Sequence, residues 1–93
     1  MVEVENDPDK TRFVARKNGM EAELHYIKKN DKIWKFTHTF VPEEIRRQGV
    51  ATKLVAGALE YVRAHKIKVI AECEFVREFL KKHPKYEELV AEE

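Results

Sequence analysis

Residues 38–55, HTFVPEEIRRQGVATKLV, decide the fold of this chain. They read as the end of a strand, a short polar turn and the start of a long amphipathic helix. The strand candidate covers residues 33–41, and the turn passes through Arg46-Arg47-Gln48-Gly49-Val50-Ala51. The helix runs from about 48 to 64, with Val50, Ala51, Leu54, Val55, Ala58, Leu59 and Val62 as an apolar stripe at helical spacing. A strand, a tight turn of small residues and a helix start together make an anion seat. The first amides of a helix have no internal partner, and the helix dipole places partial positive charge there. A pyrophosphate suits such a place. Arg46 and Arg47 add formal charge and fork-shaped donors.

Upstream, residues 12–16 (RFVAR) are short and strand-like. Lys17-Asn18-Gly19 predicts a hairpin, because Asn-Gly accepts positive φ at both central positions. Residues 20–28 then alternate, with Ala22, Leu24 and Tyr26 on one face. A second polar turn, 29–32, leads to the long strand, whose alternation places Trp34, Phe36, His38 and Phe40 on one side. The opposite side carries Ile33, Lys35, Thr37, Thr39 and Val41. Short connections make these three strands an antiparallel meander. Downstream, residues 69–73 (VIAEC) predict a fourth strand, parallel to the third because a helix crosses between them. Residues 74–82 (EFVREFLKK) predict a second helix, stopped by Pro84. Asn6-Asp7-Pro8-Asp9 marks residues 1–10 as a frayed start or turn, and 85–93 read as a tail with one short helical turn. The expected class is thus α/β (α+β), in one domain spanning 1–93.

The 93 residues suffice for one modest core, burying about two-thirds of the unfolded surface. A hydrophobic fraction of 43% implies a globular chain. Eighteen basic against seventeen acidic residues give a net charge of +1, so nothing draws the whole molecule to nucleic acid or membrane. Any anion site is local. No stretch approaches the roughly 20 apolar residues of a membrane span. The acidic N-terminus carries no signal-peptide core, which makes the cytoplasm the expected compartment. Cys73 stands alone and has no partner for an internal disulfide. It is either a buried small residue or a reactive thiol. No His/Cys/Asp/Glu set has metal-ligand spacing, so no metal is expected.

The run Arg46-Arg47-Gln48-Gly49-Val50-Ala51 resembles the acetyl-CoA signature of the GNAT superfamily of N-acetyltransferases, Gln/Arg-x-x-Gly-x-Gly/Ala, at Arg46, Gly49 and Ala51. The wider pattern of His38-Thr39, Val41-Pro42-Glu43, Gln48 and Leu54-Val55, with Cys73, Phe75-Val76, His83-Pro84 and Tyr86, resembles the small, single-domain, YjdJ-like branch. The resemblance covers roughly residues 33–90. It implies a GNAT-like fold and transfer of an acetyl group from acetyl-CoA to an amine. The backbone of Thr39, Phe40 and Val41 would pair with the pantetheine arm, and amides from about Arg47 through Gln48, Gly49, Val50 and Ala51 to Thr52 would hold the pyrophosphate. Cys73 falls near the thioester in this reading.

Two departures matter. Arg47 stands where this branch often has Gly, and Phe79 and Leu80 stand where larger relatives place a thiolate-protonating tyrosine. The last hairpin of those relatives is not legible here. His38 is the candidate general base, because an amine must lose a proton to attack and His titrates in the useful range. Its bland alternative is a structural histidine, and Tyr86 is either a packing anchor or a lining residue. A lysine among 28, 29, 32, 81 and 82 is a candidate for the coenzyme's 3′-phosphate. The alternative function is a CoA or acyl-CoA-binding module with little or no catalysis. The expected partners are acetyl-CoA and an amine acceptor, with no nucleic acid and no membrane, in a monomer or weak dimer.

Overall fold

At Asn18 and Gly19 the backbone enters the left-handed region, with φ of 53° and 76°. Their turn joins strand β2, Arg12–Lys17, to strand β3, Met20–Asn30, and sets Lys17 opposite Met20. In the computed structural model, which describes residues 3–91, β3 pairs in turn with the antiparallel strand β4, Ile33–Phe40. Helix α1, Val50–Ala64, crosses over to strand β5, Lys68–Ala71. That strand pairs parallel to β4 from Ile33 opposite Lys68 to Phe36 opposite Ala71. Helix α2, Glu74–Lys82, follows, and a 3-10 turn covers Pro84–Leu89. The helix between parallel strands is the crossover that the sequence implies.

The N-terminal segment corrects the expectation of a frayed start. Strand β1, Val4–Asp7, pairs antiparallel with β2, so the sheet has five strands in the order β1-β2-β3-β4-β5. Residues 1 and 2 lie outside the described residues. What holds β1 is tertiary. A β-carbon at Gly57 of α1 would lie 2.6 Å from Cβ of Val4, so the helix needs glycine there to reach the strand. Asn6 then links two elements: Tyr26 Oη donates to its Oδ1 at 2.6 Å, and its Nδ2 donates to Tyr61 Oη at 3.1 Å. Gly57→Val should cost about 1–3 kcal/mol through overpacking. Chemical denaturation will give that loss, and amide exchange should place it first in β1. Unchanged stability would mean that strand and helix are not in close contact.

One helix-side core joins the inner sheet face (Phe13, Leu24, Tyr26, Trp34, Phe36) to Leu54, Val55, Leu59 and Val62 of α1 and to Val76 and Phe79 of α2. On the outer face the Arg12 guanidinium meets Asp7 at 3.0 Å and Glu21 at 3.6 Å, and also pairs with Glu23. Arg12 holds the Glu23 and Asp7 carboxyls below their ordinary range. That contribution is present at neutral pH and is lost as the pH falls through the carboxylate range.

The tail is part of the fold. Tyr86 and Leu89 are buried in the core, Val90 bridges to Val69, and the Ala91 amide donates to Val69 O at 2.8 Å. Lys68 Nζ donates to Glu88 O, and the Arg77 guanidinium donates to the carbonyls of Ala71 and Glu72 where β5 ends. Tyr86 donates its hydroxyl to Glu60 Oε2 at 2.6 Å. Burial first, and then this bond, push the Tyr86 phenol up to about 12. Its neutral form is favoured by folding, so the stabilisation is complete below the unfolded value near 10 and disappears as the pH rises to about 12. Wild type should lose roughly 2–3 kcal/mol across that window relative to Tyr86→Phe. Denaturant midpoints of the two proteins measured from pH 8 to 12 check this, and parallel curves would refute it.

Candidate functional site

Strand β4 carries one residue too many for its partner. Tyr26 faces Phe36 but the next residue back, His25, faces His38, which leaves Thr37 as a β-bulge. A bulge reverses the alternation beyond it. Thr39 lies opposite the fully buried Leu24 on the inner side, while His38 and Phe40 turn outward. This corrects the expected face of both residues: they do not share a side with Trp34 and Phe36. His38 stacks on His25 on the outer face, with ring centroids 4.5 Å apart and planes within 8°. Phe40 is 50% exposed.

The bulge also ends the pairing of β4 with β5. Phe36 O accepts both the Glu72 amide at 3.0 Å and the Cys73 amide at 3.1 Å, after which β5 turns into α2. Beyond Phe36, β4 stays paired with β3 as far as Phe40, and its other edge meets no strand among the described residues. Across this splay Thr39 Oγ1 lies 3.8 Å from Cys73 Sγ. Cys73 is 8% exposed and occupies the N-cap position of α2.

The turn after β4 is built to keep its amides open. Ile45 is fully buried and anchors a short 3-10 segment, Glu43–Ile45. The Arg46 Nε donates to Val41 O at 3.0 Å, and Gln48 Nε2 donates to Glu44 O at 3.2 Å, so both side chains brace the loop. Arg47 and Gly49 take positive φ, 68° and 78°. The value at Arg47 gives a backbone reason for the glycine often found there in proteins of this pattern. Gly49 caps α1 with no side-chain bond and no acidic residue in the first turn, so the first amides of α1 have no acceptor among the described residues. A β-carbon at Gly49 would meet nothing within 4 Å, because the position opens on free space.

That space is a groove of about 420 Å³. Thr39 and Val41 line it on the β4 side, and Arg46, Arg47 and residues 49–52 line it on the helix side. Ile45 and Phe75 complete it; sequence reasoning missed both as lining residues. Ile45 reads in sequence as turn and Phe75 as part of the second helix, and neither pattern reveals a cavity wall. His38, Phe40, Gln48 and Cys73 do not line the groove, although Cys73 Sγ lies 3.8 Å from the lining residue Thr39. Among the described residues no tyrosine lines the groove. Phe79 is buried, and Tyr86 acts as an anchor with its hydroxyl bound to Glu60. A cleft of about 460 Å³ lies at the far end of α2, against Leu80, Lys81 and Pro84. Among the described residues it has neither the N-terminus of an α-helix nor a free strand edge, so the chemistry favours the first groove despite its slightly smaller size. No helix among the described residues is long and apolar enough to cross a membrane.

A splayed parallel pair, a strand bulge and an uncapped helix start are combined here in one α/β fold. The family model for GCN5-related N-acetyltransferases matches residues 12–89, and the chain belongs to that family. It is similar to Protein NATD1 of Gallus gallus, 31% identical over 85 residues that cover 89% of this chain and 77% of that protein. Human NATD1 is likewise 31% identical, with 75% of its length covered. A solution structure from Staphylococcus aureus, described provisionally as a GCN5-like N-acetyltransferase, superposes with a TM-score of 0.72 at 27% identity, covering 96% of this chain and 87% of that one.

Proposed function

We propose that this protein binds acetyl-CoA in the groove between β4 and α1 and transfers the acetyl group to an amine, as a member of the small single-domain branch of its family. The observation that carries this reading is the turn itself: two positive-φ residues, an uncapped helix start and two arginines open on a cavity where β4 and β5 part. The coenzyme's pyrophosphate would lie on the amides of Arg47–Thr52, where the helix dipole and the absence of acidic side chains favour it. The pantetheine arm would pair with the free edge of β4 at Thr39, Phe40 and Val41. The thioester would then sit in the splay beside Cys73, and a strand amide would stabilise the developing oxyanion.

The bulge gives the two reactants opposite approaches. The donor would enter from the helix side, past Thr39, and the neutral amine from the outer face, past His38. The amine nitrogen bonds to the carbonyl carbon, the carbon–sulfur bond breaks, and the proton passes to His38 or to water. A two-step variant passes the acetyl group first to the Cys73 sulfur with release of the coenzyme thiol, and then to the amine. Cys73→Ala should retain acetyl-CoA affinity within about twofold, because Cys73 does not line the groove. Turnover of that variant separates the routes: full activity removes the covalent one.

The test of the whole reading is an amide-shift titration with acetyl-CoA, paired with acetyl transfer measured over a panel of amines. Shifts focused on residues 39–52 with turnover support the transferase. Shifts without turnover support a second reading, a coenzyme-binding module, which the buried Phe79 and the absence of a groove-lining tyrosine favour. No shifts at saturating ligand would remove both. Within the proposal we place the protein in the cytoplasm as a monomer or weak dimer.

A further inference from the structure

His38 is exposed on the outer sheet face, yet two residues that do not line the groove hold its ring. Thr37, the residue left over by the β-bulge, lies on one side. Its hydroxyl donates to His25 O at 3.2 Å, and a backbone carbonyl can only accept. A hydroxyl has one hydrogen, and that contact spends it. Thr37 Oγ1 also lies 3.5 Å from His38 Nδ1, so it presents only lone pairs there. Nδ1 then carries the ring hydrogen. The hydrogen bond at one imidazole nitrogen decides which nitrogen is protonated, and Nε2 keeps its lone pair. His25 lies on the other side, its ring parallel to that of His38. His25 Nε2 is 3.3 Å from Glu23 Oε1, and Arg12 pairs with the same oxygen. Arg12 faces His25 across the β2–β3 register and is itself tied to Asp7 and Glu21. Lys35, the next cation on this face, pairs with Glu72 at 3.5 Å. Among the described residues no carboxylate pairs with His38, so the hydroxyl and the neighbouring ring are what orient it.

On the acetyl-transfer reading proposed above, we infer that Thr37 and His25 are positioning residues for His38 as the proton acceptor. Thr37 fixes the Nδ1–H tautomer. The His25 ring, anchored through Glu23 and Arg12, fixes the plane of the imidazole. The amine then loses its proton to His38 Nε2 as its nitrogen bonds to the thioester carbonyl carbon. The carbon–sulfur bond breaks with its electron pair leaving on the coenzyme sulfur, and the imidazolium passes the proton to water. Regular alternation would give β4 no such arrangement. Without the extra residue His38 would face the core beside Trp34 and Phe36. The bulge therefore supplies both the outward turn of the base and the hydroxyl that sets its tautomer.

Long-range nitrogen–proton correlation spectra of the histidine rings read the tautomer in the protein without ligand. Steady-state kinetics with acetyl-CoA and the most active amine of the panel read kcat and KM. The neutral His38 ring of wild type should be in its Nδ1–H form. Thr37→Val keeps the shape and removes the hydroxyl. It should move part of the His38 population to the Nε2–H form and lower kcat roughly tenfold, a fraction of what acid–base catalysis supplies. KM for acetyl-CoA should stay unchanged, because Thr37 does not line the groove. Thr37→Ser should restore both the tautomer and most of kcat. His25→Ala should lower kcat by about tenfold as well, and His25→Phe, which returns a flat ring, should recover most of that loss. A wild-type His38 in the Nε2–H form, or full kcat in Thr37→Val, would overturn the inference and leave the coenzyme reading standing. Equal losses in His25→Phe and His25→Ala would overturn the role of the stacked ring. Absence of acetyl transfer by wild type over the whole panel would remove the transferase reading and this one together.

Discussion

Gly49→Trp is expected to weaken acetyl-CoA binding by roughly a hundredfold or more, about 3 kcal/mol, in a protein that still folds. The β-carbon position at Gly49 faces empty space, so an indole there meets no protein atom at its root and projects into the opening that the phosphates would occupy. The cost to the fold is confined to the backbone. An L-residue at φ 78° is strained by about 1–2 kcal/mol, which a domain of this size survives. Circular dichroism and thermal melting establish folding, and calorimetry gives the affinity. A folded variant with native affinity would show that the phosphates rest elsewhere. Gly49→Ala separates strain from bulk, since it brings the backbone penalty with little obstruction.

Phe36→Ala is expected to cost about 3–5 kcal/mol, a large share of the 5–15 kcal/mol that holds a small domain together. Phe36 is fully buried, and its ring meets Phe13 edge-on at 5.9 Å. Its position makes the loss more than a cavity. Phe36 is the last β4 residue paired with β5, and its carbonyl holds the amides of Glu72 and Cys73. Loosening it should move the far side of the splay as well. Denaturant unfolding gives the stability. At a temperature where the variant remains folded, amide shifts at Thr39 and Cys73 should move more than those of the Asn18-Gly19 turn. A cost below about 1 kcal/mol would mean that the site collapses freely and that Phe36 is not the pin of the splay.

Local chemistry made much of this molecule readable. Asn18-Gly19 announces its hairpin because few other pairs accept two positive φ values, and the stripe from Val50 to Val62 announces α1 by its period. The open turn before α1 was legible because arginines, a glycine and a helix start stand in a row. What stayed hidden depends on distant residues. Strand β1 exists because Gly57 lets α1 approach Val4 and because Asn6 bridges two tyrosines across the core. A period-two reading of β4 cannot register an inserted residue, so it places His38 and Phe40 on the inner face, whereas the bulge at Thr37 turns them outward. The same holds for Phe75, whose place on the groove wall depends on how α2 sits against α1. Sequence singled out the turn that lines the groove, and tertiary packing determines what surrounds it.

The far side of β5 has a separate consequence. Backbone groups left bare along a strand invite another chain to dock there, which is how small sheets grow into fibrils. Here Val90 and Ala91 occupy part of that rim, and Lys68 and Arg77 secure neighbouring carbonyls. Self-assembly at high concentration should therefore begin at β1, the opposite rim, where four residues pair only with β2. A charged or proline replacement in β1 that improves solubility without touching the groove would be the practical expression of that asymmetry.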